Sequence, residues 1–346
     1  MLNNLTKYLV IVLILSLGFG QLLRFDWFGL PIYLHDALVL LVLLLLFLQG
    51  QALQVRKFDL RGLALLGAGL TLGYLRALTL YPLSDLLVPS LYTLRLLAYL
   101  TLYFFLKNSK IPVSKIYFLT SGSIALIIGL GQYFFMPDMR VFQYLGWDDH
   151  LSRLTLPHFD PTFSAVMLAL FALSIAPKLW YFGILVFLPI LLTYSRSVWL
   201  SLILTFSFFM IKNKKFKFMI IGICLLIIPI LFLPKKFGEG TNLLRTFSIE
   251  SRFNNDLSII RDQSWNLITG IGMHKGPNNS YLYLLATTGV LGLIGWGTFM
   301  FSLYTKSAHK PMLTFFFLAS LFNNVMFYPF ALLWVLLIES KAPRAT

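Results

Sequence analysis

Apolar runs of nearly membrane-spanning length recur along this whole chain, and no other feature of the sequence limits its fold as strongly. They fall near residues 8–24, 33–49, 61–80, 87–106, 113–135, 161–176, 178–194, 196–211, 216–233, 279–304, 311–323 and 325–338. A bilayer core of about 30 Å asks about 20 apolar residues of an upright helix, so the shorter runs leave room for re-entrant segments. The 346 residues are 58% hydrophobic and only 12% charged, more apolar than a soluble core requires. The expected fold is all-α: a polytopic transmembrane helical bundle of about twelve helices, forming a single integral membrane domain over 1–346. Pro329 interrupts the last pair.

Charge gives the expected orientation. Alternate connections hold Lys7; Arg56, Lys57 and Arg61; Lys107, Lys110 and Lys115; Lys178; Lys212, Lys214, Lys215 and Lys217; Lys306 and Lys310; Lys341 and Arg344, with only Asp59 and Glu339 opposing them. The remaining connections balance twelve Lys/Arg against eleven Asp/Glu. The positive-inside rule then puts both termini in the cytoplasm, and an even helix count is needed to keep the basic clusters on one side. Two polar segments, 136–160 and 234–278, fall on the outer face as extracytoplasmic loops with short amphipathic helices. Topology accounts for the net charge of +15, so no nucleic-acid partner is expected. The run from Tyr8 to Leu23 lacks a small-x-small cleavage pattern and is expected to be a retained first helix. Cys224 has no second cysteine to pair with and reads as packing. No internal repeat suggests paired transporter halves.

The outer side carries Arg140, Arg153, Arg196, Arg245, Arg252 and Arg261. Arginine presents a planar fork of donors that matches phosphate oxygens, which points to a polyanionic substrate at the membrane surface. The plainer reading pairs these residues with lipid headgroups or with Asp138, Asp148, Asp149, Asp160, Glu250, Asp256 and Asp262. Arg196, in Tyr194-Ser195-Arg196-Ser197-Val198-Trp199, joins two apolar runs almost without a loop, so its charge needs a partner or must snorkel. Arg76 and Arg95 lie within expected helices, where Asp36 or Asp85 could serve as a structural partner. Gly289, Gly292 and Gly295 recur every third residue and leave a stripe for close helix approach. Asn278 and Asn279 precede that stripe and suit a helix cap. Among His35, His150, His158, His274 and His309 no metal-ligand spacing occurs, and His274 is the preferred titratable candidate beside Asn278. No nucleotide-binding or serine-hydrolase motif is present in a fitting context.

Three segments together resemble the O-antigen ligase and O-antigen polymerase family of bacterial surface-polysaccharide enzymes. They are Thr193-Tyr194-Ser195-Arg196-Ser197 before an apolar helix, Arg261-x-x-x-Trp265 followed by Gly270-x-Gly272, and Asn278-Asn279 nine residues before Gly289-x-x-Gly292. A fainter similarity covers Gly131-Gln132-Tyr133 through Arg153 and Asp160-Pro161. The resemblance implies a glycosyltransferase without metal or cofactor in the cytoplasmic membrane. Its donor would be a polyprenyl-pyrophosphate-linked oligosaccharide and its acceptor a saccharide, both met among membrane lipids. Arg196 and Arg261 match the family's phosphate-binding arginines, with Arg140, Arg153, Arg252 and Asn279 as further substrate contacts. The family's histidine is replaced by Asn278, which can orient a hydroxyl but cannot take its proton. His274 or Asp262 could supply the base, the reaction could rely mainly on its leaving group, or the chain could be inactive. Polymerase and ligase differ only in acceptor, and the sequence does not separate them. The rival readings are a flippase for the lipid-linked glycan and a non-catalytic glycan-lipid-binding relative.

Overall fold

The computed structural model describes residues 2–27, 30–51, 53, 55–109, 111, 113–145, 150–175, 180–214, 239–243, 245–262, 266–272 and 277–340. Apart from 216–233, which lies outside these residues, each expected apolar run coincides with a helix. They are α1 (Leu2–Ser16, continued by a 3-10 turn to Leu23), α2 (Leu34–Leu48), α3 (Lys57–Leu80), α4 (Leu83–Asn108), α5 (Lys115–Phe135), α6 (Pro161–Ile175), α7 (Trp180–Leu192) and α8 (Arg196–Lys212). After the second polar segment come α11 (Ser280–Lys306), α12 (Lys310–Ala319) and α13 (Pro329–Ser340). The segment itself contributes α9 (Phe247–Asp262) and the single turn α10 (Asn266–Thr269).

Among the described residues, five helices are long and apolar enough to cross a membrane: Leu2–Leu23, Lys57–Leu80, Leu83–Asn108, Lys115–Phe135 and Ser280–Lys306. Four shorter apolar helices, α2, α6, α12 and α13, accompany them. The chain is thus an α-helical membrane protein. One small departure from the all-α expectation is an antiparallel hairpin between α1 and α2, β1 (Arg24–Trp27) with β2 (Leu30–Tyr33), in the register Arg24↔Tyr33 and Phe25↔Ile32. Strands of four residues leave too short an alternation to stand out between two leucine-rich runs.

The centre of the bundle is filled by α6 and α13, which are apolar on all sides and almost wholly buried, including Phe171, Phe330 and Trp334. A helix without a polar face needs no contact with water, so it is compatible with this central position. Leu40, Phe47, Leu75, Leu87 and Leu94 of α2, α3 and α4 are exposed, as lipid-facing side chains must be in a membrane protein.

The glycine stripe packs as its spacing suggests. A Cβ on Gly69 of α3 would lie 2.5 Å from the Gly292 nitrogen, and one on Gly295 would lie 2.6 Å from the Gly62 oxygen, so α3 and α11 meet backbone to backbone. Gly289 does something else: at φ +67° and ψ −170° it breaks α11. The freed backbone receives the segment after α10, through Ile271 N–H to Ala286 O and Gly272 N–H to Thr287 O, both 2.9 Å. Gly270 (φ +80°) and Gly289 therefore face each other, and a Cβ on Gly270 would sit 2.5 Å from the Thr287 oxygen. Arg95 meets Asp36 in a two-pronged ion pair at 3.0 and 2.6 Å, and Tyr99 donates to the same carboxylate at 2.6 Å. This is the structural partner expected of a charge inside a helix.

Candidate functional site

The site begins at the turn joining α7 to α8. Thr193 N–H and Tyr194 N–H close the end of α7 onto Ile190 and Leu191, and Tyr194 takes a left-handed backbone (φ +53°) with its side chain buried. That sharp reversal makes Arg196 the first residue of α8, where it donates to the Leu243 carbonyl at 2.8 Å. Arg153, in the connection between α5 and α6, is only 7% exposed and donates from Nε to the Thr193 carbonyl at 2.9 Å. Its side chain passes over Gly240, where a Cβ would come within 2.8 Å of Arg153 Cδ. Arg245 donates to the carbonyls of Gly240 and Asn242. Arg252, on α9, donates to Asn323 Oδ1 at 2.6 Å, and Asn323 Nδ2 in turn donates to Ser197 Oγ at 3.0 Å.

Four guanidinium groups from distant parts of the chain are thus brought within electrostatic reach of one another. Arg153 feels Arg245, Arg252 and Arg196, and Arg245 feels Arg196 and Arg252. Neither Arg153 nor Arg252 forms an ion pair among the described residues. Burial, and then the neighbouring cations, push the pKa of Arg153 down to about 9, and burial with Arg196 and Arg252 lowers that of Arg245. Asp160, the acid acting on Arg153, is engaged in capping α6, where it accepts Phe163 N–H at 2.8 Å. Guanidinium groups gathered this closely make a local field that attracts anions.

The α9 helix carries the site onward. Arg252 and Asp256 are one turn apart on the same half-buried face. Asp256 Oδ1 accepts the Asn278 N–H at 2.9 Å, and the Asn279 N–H also reaches this carboxylate. Burial raises the Asp256 pKa, against the lowering pull of those two N–H groups and of Arg252. Asn279 caps α11 as its residue type suggests, accepting from Tyr281 and Leu282 N–H at 2.8 and 3.1 Å, while its Nδ2 donates to the Leu321 carbonyl at 2.7 Å. Beside the site face, Ile249, Phe253, Leu257 and Ile260 form an exposed apolar stripe along α9.

Arg153, Arg196, Arg252, Asn278 and Asn279 therefore belong to one region. Arg261 does not join it: nine residues after Arg252, it lies about 14 Å further along the helix axis and half a revolution around it, exposed. Arg140 is held at the surface by Asp138, at 2.9 and 2.7 Å, and this contact lowers the Asp138 pKa to about 2. Arg76 approaches Asn266 at 3.4 Å. His274, Trp265 and the Asp262 side chain lie outside the described residues. His158 is fully buried against Tyr328 and Phe330, so it packs rather than serves the site.

Sequence reasoning passed over Asn323, which ties Arg252 to the start of α8 across more than a hundred residues. It also treated Asp256 only as a charge partner, although the four-residue step from Arg252 marks both as sharing a helix face. Two apolar cavities lie elsewhere, one of about 460 Å³ between α8, α11 and α12 and one of about 610 Å³ between α2 and α4. No family model matches the chain, and no curated protein matches it.

Proposed function

We propose that the protein is a membrane glycosyltransferase that moves an oligosaccharide from a polyprenyl diphosphate to an acceptor saccharide at the outer face of the cytoplasmic membrane. In this reading twelve helices cross the bilayer, both termini are cytoplasmic, and the polar segments 136–160 and 234–278 face outward. The observation that carries the proposal is the gathering of Arg153, Arg196, Arg245 and Arg252 at one end of the bundle. When the acceptor hydroxyl attacks the anomeric carbon, negative charge grows on the departing diphosphate. Guanidinium groups already in position stabilise that charge more than the ground state, which is the requirement for catalysis.

The resemblance assigned the leaving-group role to Arg196 and Arg261; the geometry favours Arg196 with Arg252, because Arg261 is turned away. The apolar stripe of α9 supports the same reading, since a helix with one apolar flank lies in the bilayer interface and would hold Arg252 at headgroup depth. The test is binding of geranylgeranyl diphosphate, which carries the anchor and diphosphate without the sugar, to protein in nanodiscs. Tight binding that is lost in Arg196→Met and Arg252→Met and retained in Arg140→Met is the expected result. Binding indifferent to all three substitutions would remove the site.

A further inference from the structure

We propose that Asp256 is the catalytic base that takes the proton from the acceptor hydroxyl. The inference rests on the glycosyl-transfer reading above and supplies the group which that reading lacks, because Asn278 occupies the position where the resemblance expects a proton acceptor. The carboxylate sits at that position: its Oδ1 accepts the Asn278 N–H at 2.9 Å. It also shares a face of α9 with Arg252, four residues and about 6 Å of axial rise away. From one face, the cation can attend the leaving phosphate and the carboxylate the incoming hydroxyl. Asp160, which among the described residues also acts on this arginine cluster, is committed to the start of α6.

In the step, the acceptor O–H proton passes to Asp256 as the acceptor oxygen bonds the anomeric carbon. The bond from that carbon to the diphosphate oxygen breaks, and its electron pair leaves on the diphosphate beside Arg252 and Arg196. The proton then returns to water. Facing Asp256 are Arg252 from its own helix and the Asn278 and Asn279 N–H groups from the approach to α11, with Arg153, Arg196 and Arg245 beyond Arg252. Burial favours proton uptake and these groups oppose it. The raised pKa makes the carboxylate a better proton acceptor than an ordinary aspartate.

The experiment uses the full-length protein in proteoliposomes with the polyprenyl-diphosphate oligosaccharides extracted from the producing cells. Wild type, Asp256→Asn and Asp256→Glu are compared for transfer to the sugar acceptor and for release of lipid diphosphate driven by azide, a nucleophile with no proton to lose. Asp256→Asn keeps an acceptor for the Asn278 N–H, so the fold is preserved. Its sugar transfer should fall about 100-fold or more, with the acid limb of the pH profile abolished. Azide-driven release should stay within about threefold of wild type, and Asp256→Glu should recover part of the transfer. Loss of azide-driven release together with sugar transfer would overturn the proposal by making Asp256 structural, as would unimpaired transfer in Asp256→Asn. Absence of both reactions in wild type, by contrast, overturns the glycosyl-transfer reading itself.

Discussion

Replacing Arg153 with methionine should weaken capture of a diphosphate lipid while leaving the folded protein at least as stable. Arg153 is 7% exposed, and burial with the surrounding Arg245, Arg252 and Arg196 holds its pKa down to about 9. A tenfold change in a protonation constant is about 1.4 kcal/mol, so a displacement of more than three decades corresponds to about 5 kcal/mol against the charged form. Methionine removes the charge and fills much of the same space. It also strands the Thr193 carbonyl, which accepts from Arg153 at 2.9 Å, and an unmet buried acceptor costs about 1–3 kcal/mol.

Relief is the larger of the two effects, so the melting temperature in nanodiscs at neutral pH should hold or rise. The sign with pH follows from the depressed folded-state pKa. Above about 9 the folded protein releases this proton while the unfolded chain keeps it, so this group's contribution to stability rises with pH there and falls as pH drops through about 9. The methionine variant should lack that rise. A charged hydrogen bond to phosphate contributes about 1.5–3 kcal/mol, so the Kd for geranylgeranyl diphosphate should increase roughly 10- to 150-fold. Titration calorimetry and thermal unfolding of the same samples read both quantities. A melting temperature lower by about 5 °C or more with an unchanged Kd would refute the reasoning and leave Arg153 as a structural residue.

Breaking the Arg95–Asp36 pair by Arg95→Leu should destabilise the protein by about 3–5 kcal/mol, whereas Arg95→Leu with Asp36→Leu should recover most of that loss in unfolding measurements. Gly69→Val places side-chain atoms against the Gly292 backbone and should destabilise by about 1–3 kcal/mol or more, read by thermal unfolding in nanodiscs; an unchanged melting temperature would mean that α3 and α11 do not touch there. Changing Ile249 and Phe253 together to serine should lower glycan transfer in liposomes with the protein still folded by circular dichroism, and transfer equal to wild type would show that α9 does not lie in the membrane surface.

The helices were legible because hydropathy alone marks them: every expected run among the described residues coincides with one. Because few acids exist near the apolar runs, the sequence narrowed the partners of Arg76 and Arg95 to Asp36 or Asp85, and the structure pairs Arg95 with Asp36. Gly292 and Gly295 were readable as a packing seam for a similar reason, since small residues at helical spacing have few other uses in a membrane. Gly289 was not, because a glycine that breaks a helix looks identical in sequence to one that lets two helices touch; only the docking of Ile271 and Gly272 on the freed backbone separates them.

The candidate site was only partly legible. Residue type pointed to arginines, and the turn before Arg196 identified one of them. The choice between Arg252 and Arg261 depends on the rotation of α9 about its axis, which is fixed by two long-range contacts, Arg252 with Asn323 and Asp256 with Asn278. Motif spacing carries no information about that rotation. The hairpin at 24–33 escaped notice because its alternation is too brief to compete with the leucine-rich helices on either side.

The most direct test of the central claim is reconstitution of the purified protein in liposomes carrying the lipid-linked oligosaccharide on their outer leaflet, with a chelator present, followed by separation of glycan and lipid products. The account predicts a lengthened or transferred glycan together with free polyprenyl diphosphate, both abolished when Arg196 and Arg252 are replaced by methionine. Donor that crosses to the inner leaflet intact, with no free polyprenyl diphosphate formed, would contradict it and identify a transporter.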